Sequence, residues 1–226
     1  MIRVLILALH VVLSGVATAD ADDGAPPDLV DRLVAQTENL KPEVLELALA
    51  AYAEGMEKGY FTRKRLTVID YSLPSYEQRL WVIDMATERV LFEEIVAHGM
   101  GKPRGSGGDM ETAKEFSNRR GSRKSSLGLF VTAETYQGRH GYTLRLDGLE
   151  EGVNDNARER LIVIHGAHYV TKPRADDHMV GRSWGCPSVR PKVARPLIDA
   201  IKGGSAVWIY YPDAAWLEES EFLDEE

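Results

Sequence analysis

A chain of 226 residues, 44% of them hydrophobic, can bury the core of one domain and carry a small N-terminal addition. A net charge of −8 with both signs interspersed excludes a nucleic-acid binder built on a basic face, and a single cysteine excludes an internal disulfide. Much of the negative charge lies at the two ends, at Asp20, Asp22 and Asp23 and over residues 218–226, and reads as solvated termini.

In chain order, the first residues read as a secretory signal. Arg3 supplies the positive start, residues 4–16 are apolar apart from His10, Ser14 and Gly15, and Ala17-Thr18-Ala19 fits a small-x-small cleavage pattern. The apolar run is too short for a comfortable membrane span. The chain is therefore expected to leave the cytoplasm for the periplasm, with no membrane span after signal removal. Residues 20–28, with Pro26-Pro27, read as a linker. An apolar stripe at Leu29, Val30, Leu33, Val34 and Leu40 predicts a helix over residues 29–40. A second helix starts at Pro42, tolerated in a first turn, and runs to about Lys58 with Gly59 as its stop. This pair carries no chemical signal.

From Lys64 the pattern turns to strands. Residues 65–71, 79–84 and 87–98 read as three strands, the last two joined by the hairpin-like residues 85–88. Residues 99–123 hold six glycines, several basic residues and few apolar ones; a loop of that length reads as a surface loop bordering a binding cleft. Further strands are expected over residues 129–132, 142–146, 161–165 and 206–211, with a helix over residues 191–201. The expected fold is mostly β (α+β). The expected division is a signal at 1–19, linker and helices at 20–62, a catalytic domain at 63–212 and an acidic tail at 213–226.

Two features carry chemistry. His165-Gly166 ends the apolar run L-I-V-I-H, and Arg182-Ser183-Trp184-Gly185-Cys186-Pro187 follows. A thiol nucleophile needs a base or a cationic neighbour to become a thiolate, and amides aimed at the oxyanion formed on attack. His165 at a strand end suits the base, and a backbone carbonyl such as that of Gly166 suits the acceptor that fixes its tautomer. The amides of Gly185 and Cys186, with that of Trp184, are candidates for the oxyanion hole.

These segments, I-H-G-A-H-Y-V and G-R-S-W-G-C-P-S-V, resemble the YkuD-like L,D-transpeptidase catalytic domain, and more closely its murein L,D-transpeptidase branch. F-S-N at Phe116, S-S-L-G at Ser125, and the stretch from His140 to Ala157 containing H-G-Y-T-L-R-L-D-G-L-E and N-D-N-A also match. The resemblance spans roughly residues 66–211. It implies a β-sandwich or barrel with cysteine and histidine facing across a cleft, no cofactor, and peptidoglycan stem peptides as partners. It also implies a peptidoglycan L,D-transpeptidase: Cys186 forms an acyl-enzyme at the diamino acid of the stem, D-alanine leaves, and a second stem amine resolves the thioester. His165 matches the base and Gly166 the orienting carbonyl; a carbapenem adduct on Cys186 is expected. Trp184, Pro187 and Arg190 depart from a pattern that often has His before the cysteine and Arg or Asn after it. Resolution by water, giving an L,D-carboxypeptidase, and a non-catalytic peptidoglycan-binding protein stand as alternatives.

The remaining candidates carry two readings each. Arg182 and Arg190 either hold a substrate carboxylate or pair within the fold. Ser126, with Ser125, either bonds the substrate backbone or caps a strand end, and Ser183 belongs to the motif and counts as substrate-binding. His98 either lines the cleft or is structural. Trp184 either stacks on the peptide or packs. His168 and His178 are not spaced as zinc ligands with His165, so no metal is expected. His140 reads as part of a turn before Gly141 and has no assigned role.

Overall fold

The computed structural model describes residues 28–223. The signal, its cleavage pattern and most of the linker lie outside the described residues. No helix among the described residues is long and apolar enough to cross a membrane.

The N-terminal helices differ from the expected pair in length. Asp28 caps α1 (Leu29–Val34) through its side chain, and α1 ends after six residues rather than continuing to Leu40. The amphipathic stripe is real, since Leu33 and Leu40 are both buried, but the residue before Pro42 is pushed into the extended region and the chain must turn first. The Gln36 side chain holds this turn against the next hairpin, donating to Glu88 O and accepting from the Val90 amide. α2 (Pro42–Glu57) buries Val44, Leu45, Ala48, Ala51 and Tyr52, and Gly59 follows at φ 76°, a left-handed stop that suits glycine.

The strands are β1 (Arg65–Asp70), β2 (Leu80–Asp84), β3 (Arg89–Glu94), β4 (Gly128–Gly138), β5 (Gly141–Gly148), β6 (Val163–Gly166), β7 (Ser188–Val189) and β8 (Ala206–Tyr210). They form one sheet in the order β3-β2-β1-β8-β4-β5-β6-β7. β1 with β8 and β6 with β7 are parallel; the other pairs are antiparallel. The two edges nearly meet, because the chain leaving β3 bridges at Ala97 to Ser188, with the Ala97 amide 2.9 Å from the Ser188 carbonyl. The fold is therefore a nearly closed, mostly β sheet. β2 and β8 are buried at every position and β1 at all but its first, as expected of strands covered on both faces. α2 packs on β1 and β8, and its buried residues belong to the same core as Trp81, Phe130 and Trp208. α4 (Pro191–Ile201) lays Ala194, Leu197, Ile198 and Ile201, spaced three and four apart, against β6, β5 and β1.

Several boundaries move. Leu161, expected inside a strand, is exposed with φ 57° and β6 begins at Val163. The strand expected over 87–98 stops at Glu94, because residues 95–98 leave the β2 ladder to reach the opposite edge. β4 and β5 are longer than expected and form one hairpin with its tip at Arg139-His140. The short helix α3 (Lys172–Asp176) and the two-residue strand β7 carried no periodic signal. The acidic C-terminal end is not simply solvated. It opens with α5 (Ala214–Glu219), whose Trp216 packs on Trp208 at 5.1 Å and donates to the buried Glu150 at 2.9 Å, while Phe222 is also buried. Glu150 is fixed in turn by the Leu129 amide at 2.6 Å, and Asn154 fastens the same loop through Leu127 O, Leu129 O and the Glu150 amide. That gives the N-D-N turn a structural task.

Candidate active site

Sheet register is what brings the two chemical segments together. Parallel pairing sets His165 opposite Ser188, two residues beyond Cys186, while antiparallel pairing sets His165 opposite Thr143 on β5. The cysteine thus returns to the end of the histidine strand.

His165 is 3% exposed. Its Nδ1 lies 2.9 Å from Gly166 O, and a carbonyl only accepts, so Nδ1 carries the proton and Nε2 is the acceptor. The Ser188 hydroxyl fills that acceptor at 3.0 Å and itself receives the Tyr169 hydroxyl at 3.3 Å. The His140 ring stacks on His165, centroids 4.2 Å apart and planes 22° apart. Burial holds the His165 pKa below its ordinary value, opposed by the Gly166 bond and assisted by the neighbouring His140.

Cys186 is partly exposed, and its Sγ faces Leu161 O at 3.5 Å. Burial pushes the thiol up, against the Val163 amide and the positive charge of Arg160, which favour the thiolate. Burial acts on both groups in the direction that favours their neutral forms. Cys186 and His165 both line a cavity of about 210 Å³ with Arg139, His140, Tyr169, Arg182, Ser183 and Trp184. A larger compartment of about 480 Å³ adjoins it, sharing Arg139, His140, Trp184 and Cys186, and opens between the β4–β5 tip and the glycine-rich loop, which supplies Lys102, Gly121 and Arg123.

The amides expected at the oxyanion hole divide. The Gly185 amide already donates to Ser183 Oγ at 3.0 Å, so it is not available to an oxyanion. Among the described residues no other residue accepts from the amides of Trp184 or Cys186, the latter lying towards its own sulfur, which leaves those two of the expected three. Gly185 has a different reason to be glycine: its φ is 117°, and a Cβ there would sit 2.6 Å from Lys124 O.

Other expected residues lie elsewhere or do other work. His98 is fully buried and does not face the cleft; Nδ1 accepts from Arg79 at 3.0 Å and Nε2 donates to Asp109 O at 3.1 Å. Burial and the adjacent Arg79 push its pKa down to about 3. Arg190 is not beside the nucleophile. Its two bonds of 2.8 and 2.6 Å go to Glu94, in a separate cavity with Glu38, Gln78 and Lys172. Ser126 is 2% exposed and takes part in an internal network with Ser117 O and Arg160. Ser125 Oγ accepts from the Gly99 amide at 3.0 Å, which anchors the glycine-rich loop. Ser183 is buried at the cavity wall and builds the turn that carries the cysteine. Arg182 remains at the smaller cavity, with one guanidinium nitrogen on Gly108 O. Trp184 is 58% exposed, with the Arg123 guanidinium 3.9 Å above its ring. His178 stacks on Tyr76 and His168 stands edge-on to Tyr169.

Sequence reasoning missed Ser188, Tyr169, His140 and Arg160. Ser188 stood two places after the cysteine, where strand alternation carries a side chain back to the same face. Arg160 lay between the matched stretch that ends at Ala157 and the strand expected over residues 161–165, and carried no signal of its own. It donates to Ser117 O and Lys124 O, and its charge bears on Cys186.

The sole thiol of the chain and a buried imidazole thus line one cavity of a mostly β domain. The family description L,D-transpeptidase catalytic domain matches residues 36–210, and the chain belongs to that family. Enzymes of this family act on peptidoglycan peptides. No curated protein matches this chain. Among solved structures, an L,D-transpeptidase from Mycobacterium smegmatis is 15% identical with a TM-score of 0.37, over 66% of this chain and 59% of that one. The helical cell shape determining protein Pgp2 from Campylobacter jejuni is 10% identical with a TM-score of 0.44, over 68% of this chain and 49% of that one. An L,D-transpeptidase from Xylanimonas cellulosilytica is 16% identical with a TM-score of 0.37, over 82% and 94%. The chain thus spans 59% of the length of the first and 49% of the second.

Proposed function

We propose that this chain is an exported peptidoglycan L,D-transpeptidase that works through a thioester on Cys186. The single supporting observation is the β6–β7 register, which brings an unprotonated Nε2 to the same cavity as the only thiol.

The chemistry follows from an acceptor Nε2 and a thiol on one cavity. The Ser188 hydroxyl must first release Nε2; the Cys186 carbonyl, 3.4 Å from Ser188 Oγ, offers it another acceptor. Nε2 then takes the Sγ proton as sulfur attacks the carbonyl of the stem diamino acid. The Trp184 and Cys186 amides face the charge that develops on the carbonyl oxygen. Collapse breaks the C–N bond, and the Nε2 proton passes to the departing D-alanine amine. The side-chain amine of a second stem attacks the thioester, gives its proton to Nε2 and restores the thiol. Arg182, on the His165 side, suits the carboxylate of the leaving D-alanine.

Incubation with disaccharide-tetrapeptide muropeptides tests this. The expected products are cross-linked dimers and free D-alanine. Tripeptide without dimer would assign the water-resolved carboxypeptidase instead. A muropeptide profile that does not change between wild type and Cys186→Ala would point to binding alone.

A further inference from the structure

The chain carries a net charge of −8, yet the larger compartment beside Cys186 is lined by Lys102, Arg123, Arg139, Arg160 and His140 and by no carboxylate. A second depression continues this face with Arg119 and Arg120 beside Lys102. The basic groove is therefore local and set against the charge of the whole molecule. The cavity at Arg190 shows the contrast, being lined by Glu38, Glu77, Glu94 and Asp176 as well as two cations.

The cations do different work. Arg160 is engaged with Ser122 Oγ at 3.2 Å and Lys124 O at 2.7 Å, and shapes the wall. Arg123 lies on the Trp184 ring. Lys102 and Arg139 are exposed and make no hydrogen bond or ion pair among the described residues. They stand on separate elements, the glycine-rich loop and the β4–β5 tip, and both line the larger compartment, Lys102 on its far wall and Arg139 at the wall it shares with the smaller cavity. Unpaired cations that converge on a groove raise the local concentration of an anionic ligand and pair with its carboxylates.

Direction along the groove follows from the reaction, and this step rests on the function proposed above. The leaving amine must receive its proton from His165, so the leaving residue lies in the smaller cavity, which His165 lines. His165 does not line the larger one. The acyl half of the donor therefore extends into the basic compartment. We propose that this compartment selects donor stem peptides whose residues upstream of the scissile bond keep free carboxylates, over stems in which those carboxylates are primary amides, with Lys102 and Arg139 as the discriminating side chains.

The test uses two matched tetrapeptides, one with free upstream carboxylates and one with the corresponding carboxamides. Binding to Cys186→Ala protein, read by calorimetry, reports on the groove whether or not turnover occurs. The free-acid peptide is expected to bind about tenfold tighter at low salt, as one well-placed ion pair can supply, with the preference shrinking as salt rises. In the same background Lys102→Gln with Arg139→Gln is expected to abolish the preference and leave the melting temperature unchanged, since both side chains are exposed. Equal binding of the two peptides, tighter binding of the amide, or a preference that survives the double substitution would overturn the inference. So would inorganic polyphosphate displacing the free-acid peptide at lower concentration than the peptide itself, which would assign the groove to a polyanion. D-alanine release by the wild-type protein is read in parallel. Release from both peptides at equal kcat/KM contradicts the selectivity alone, whereas no release from either contradicts the proposed function.

Discussion

His98 and His165 occupy two regions that resemble each other closely. Each lies beside backbone pairing with the chain around Ser188, each is almost fully buried, and burial pushes the pKa of each below its ordinary value. The difference lies at the acceptor nitrogen. In His98 it receives a guanidinium N–H from Arg79, and the ring lines neither cavity at Cys186. In His165 it receives a hydroxyl from Ser188, which has a second acceptor within reach, and the ring faces the space that holds the thiol. A buried strand-end histidine is not thereby a base. What marks one is an acceptor nitrogen whose partner can leave.

The largest effect expected on this comparison comes from the nucleophile. Cys186→Ala should cut D-alanine release from a tetrapeptide to background, a loss of at least about 10⁴-fold, measured by coupled assay. His165→Gln should cut it by about 10² to 10⁴-fold, while the melting temperature moves little. His98→Gln should do the reverse. It removes a neutral partner of the fully buried Arg79, so a loss on the order of 2 kcal/mol in denaturant stability is expected, with kcat per folded molecule nearly intact. A His98→Gln enzyme that is stable but inactive would erase the distinction.

pH sharpens the same contrast. His98 is pushed to about 3 in the fold from an ordinary 6.5, so the unfolded chain binds a proton that the folded one refuses. Stability is then fully present above pH 6.5 and falls as pH drops towards 3, with a slope of about 1.4 kcal/mol per pH unit from this group. Chemical denaturation across that range should show a shallower slope in His98→Gln. The smallest effect belongs to Ser188→Ala. Its hydroxyl bond favours the neutral imidazole, so its loss should move the acid limb of the pH–rate profile upward. The rate at the optimum should change by no more than about tenfold. An unmoved acid limb would show that the hydroxyl does not hold Nε2.

How much of this the sequence revealed follows from distance along the chain. Local signals were legible: the Pro42 start and Gly59 stop of α2, the apolar runs of β1, β2 and β8, and the pairing of His165-Gly166 with a glycine-preceded cysteine. Register was not, because it depends on partners far away. The β6–β7 pairing that brings in Ser188, the seam that diverts residues 95–98 and buries His98, and the Glu94 partner of Arg190 are all long-range. The C-terminal end misled for the same reason, since its acidic composition concealed two aromatic side chains that pack against the sheet and its loops.

The most direct test of the cysteine–histidine account is intact-protein mass spectrometry of the tetrapeptide reaction quenched in acid, followed by peptide mapping. The account predicts an acyl adduct equal to the donor minus D-alanine, located on Cys186, absent in Cys186→Ala and strongly reduced in His165→Gln. D-alanine release that continues undiminished in Cys186→Ala, or an adduct on another residue, would contradict it.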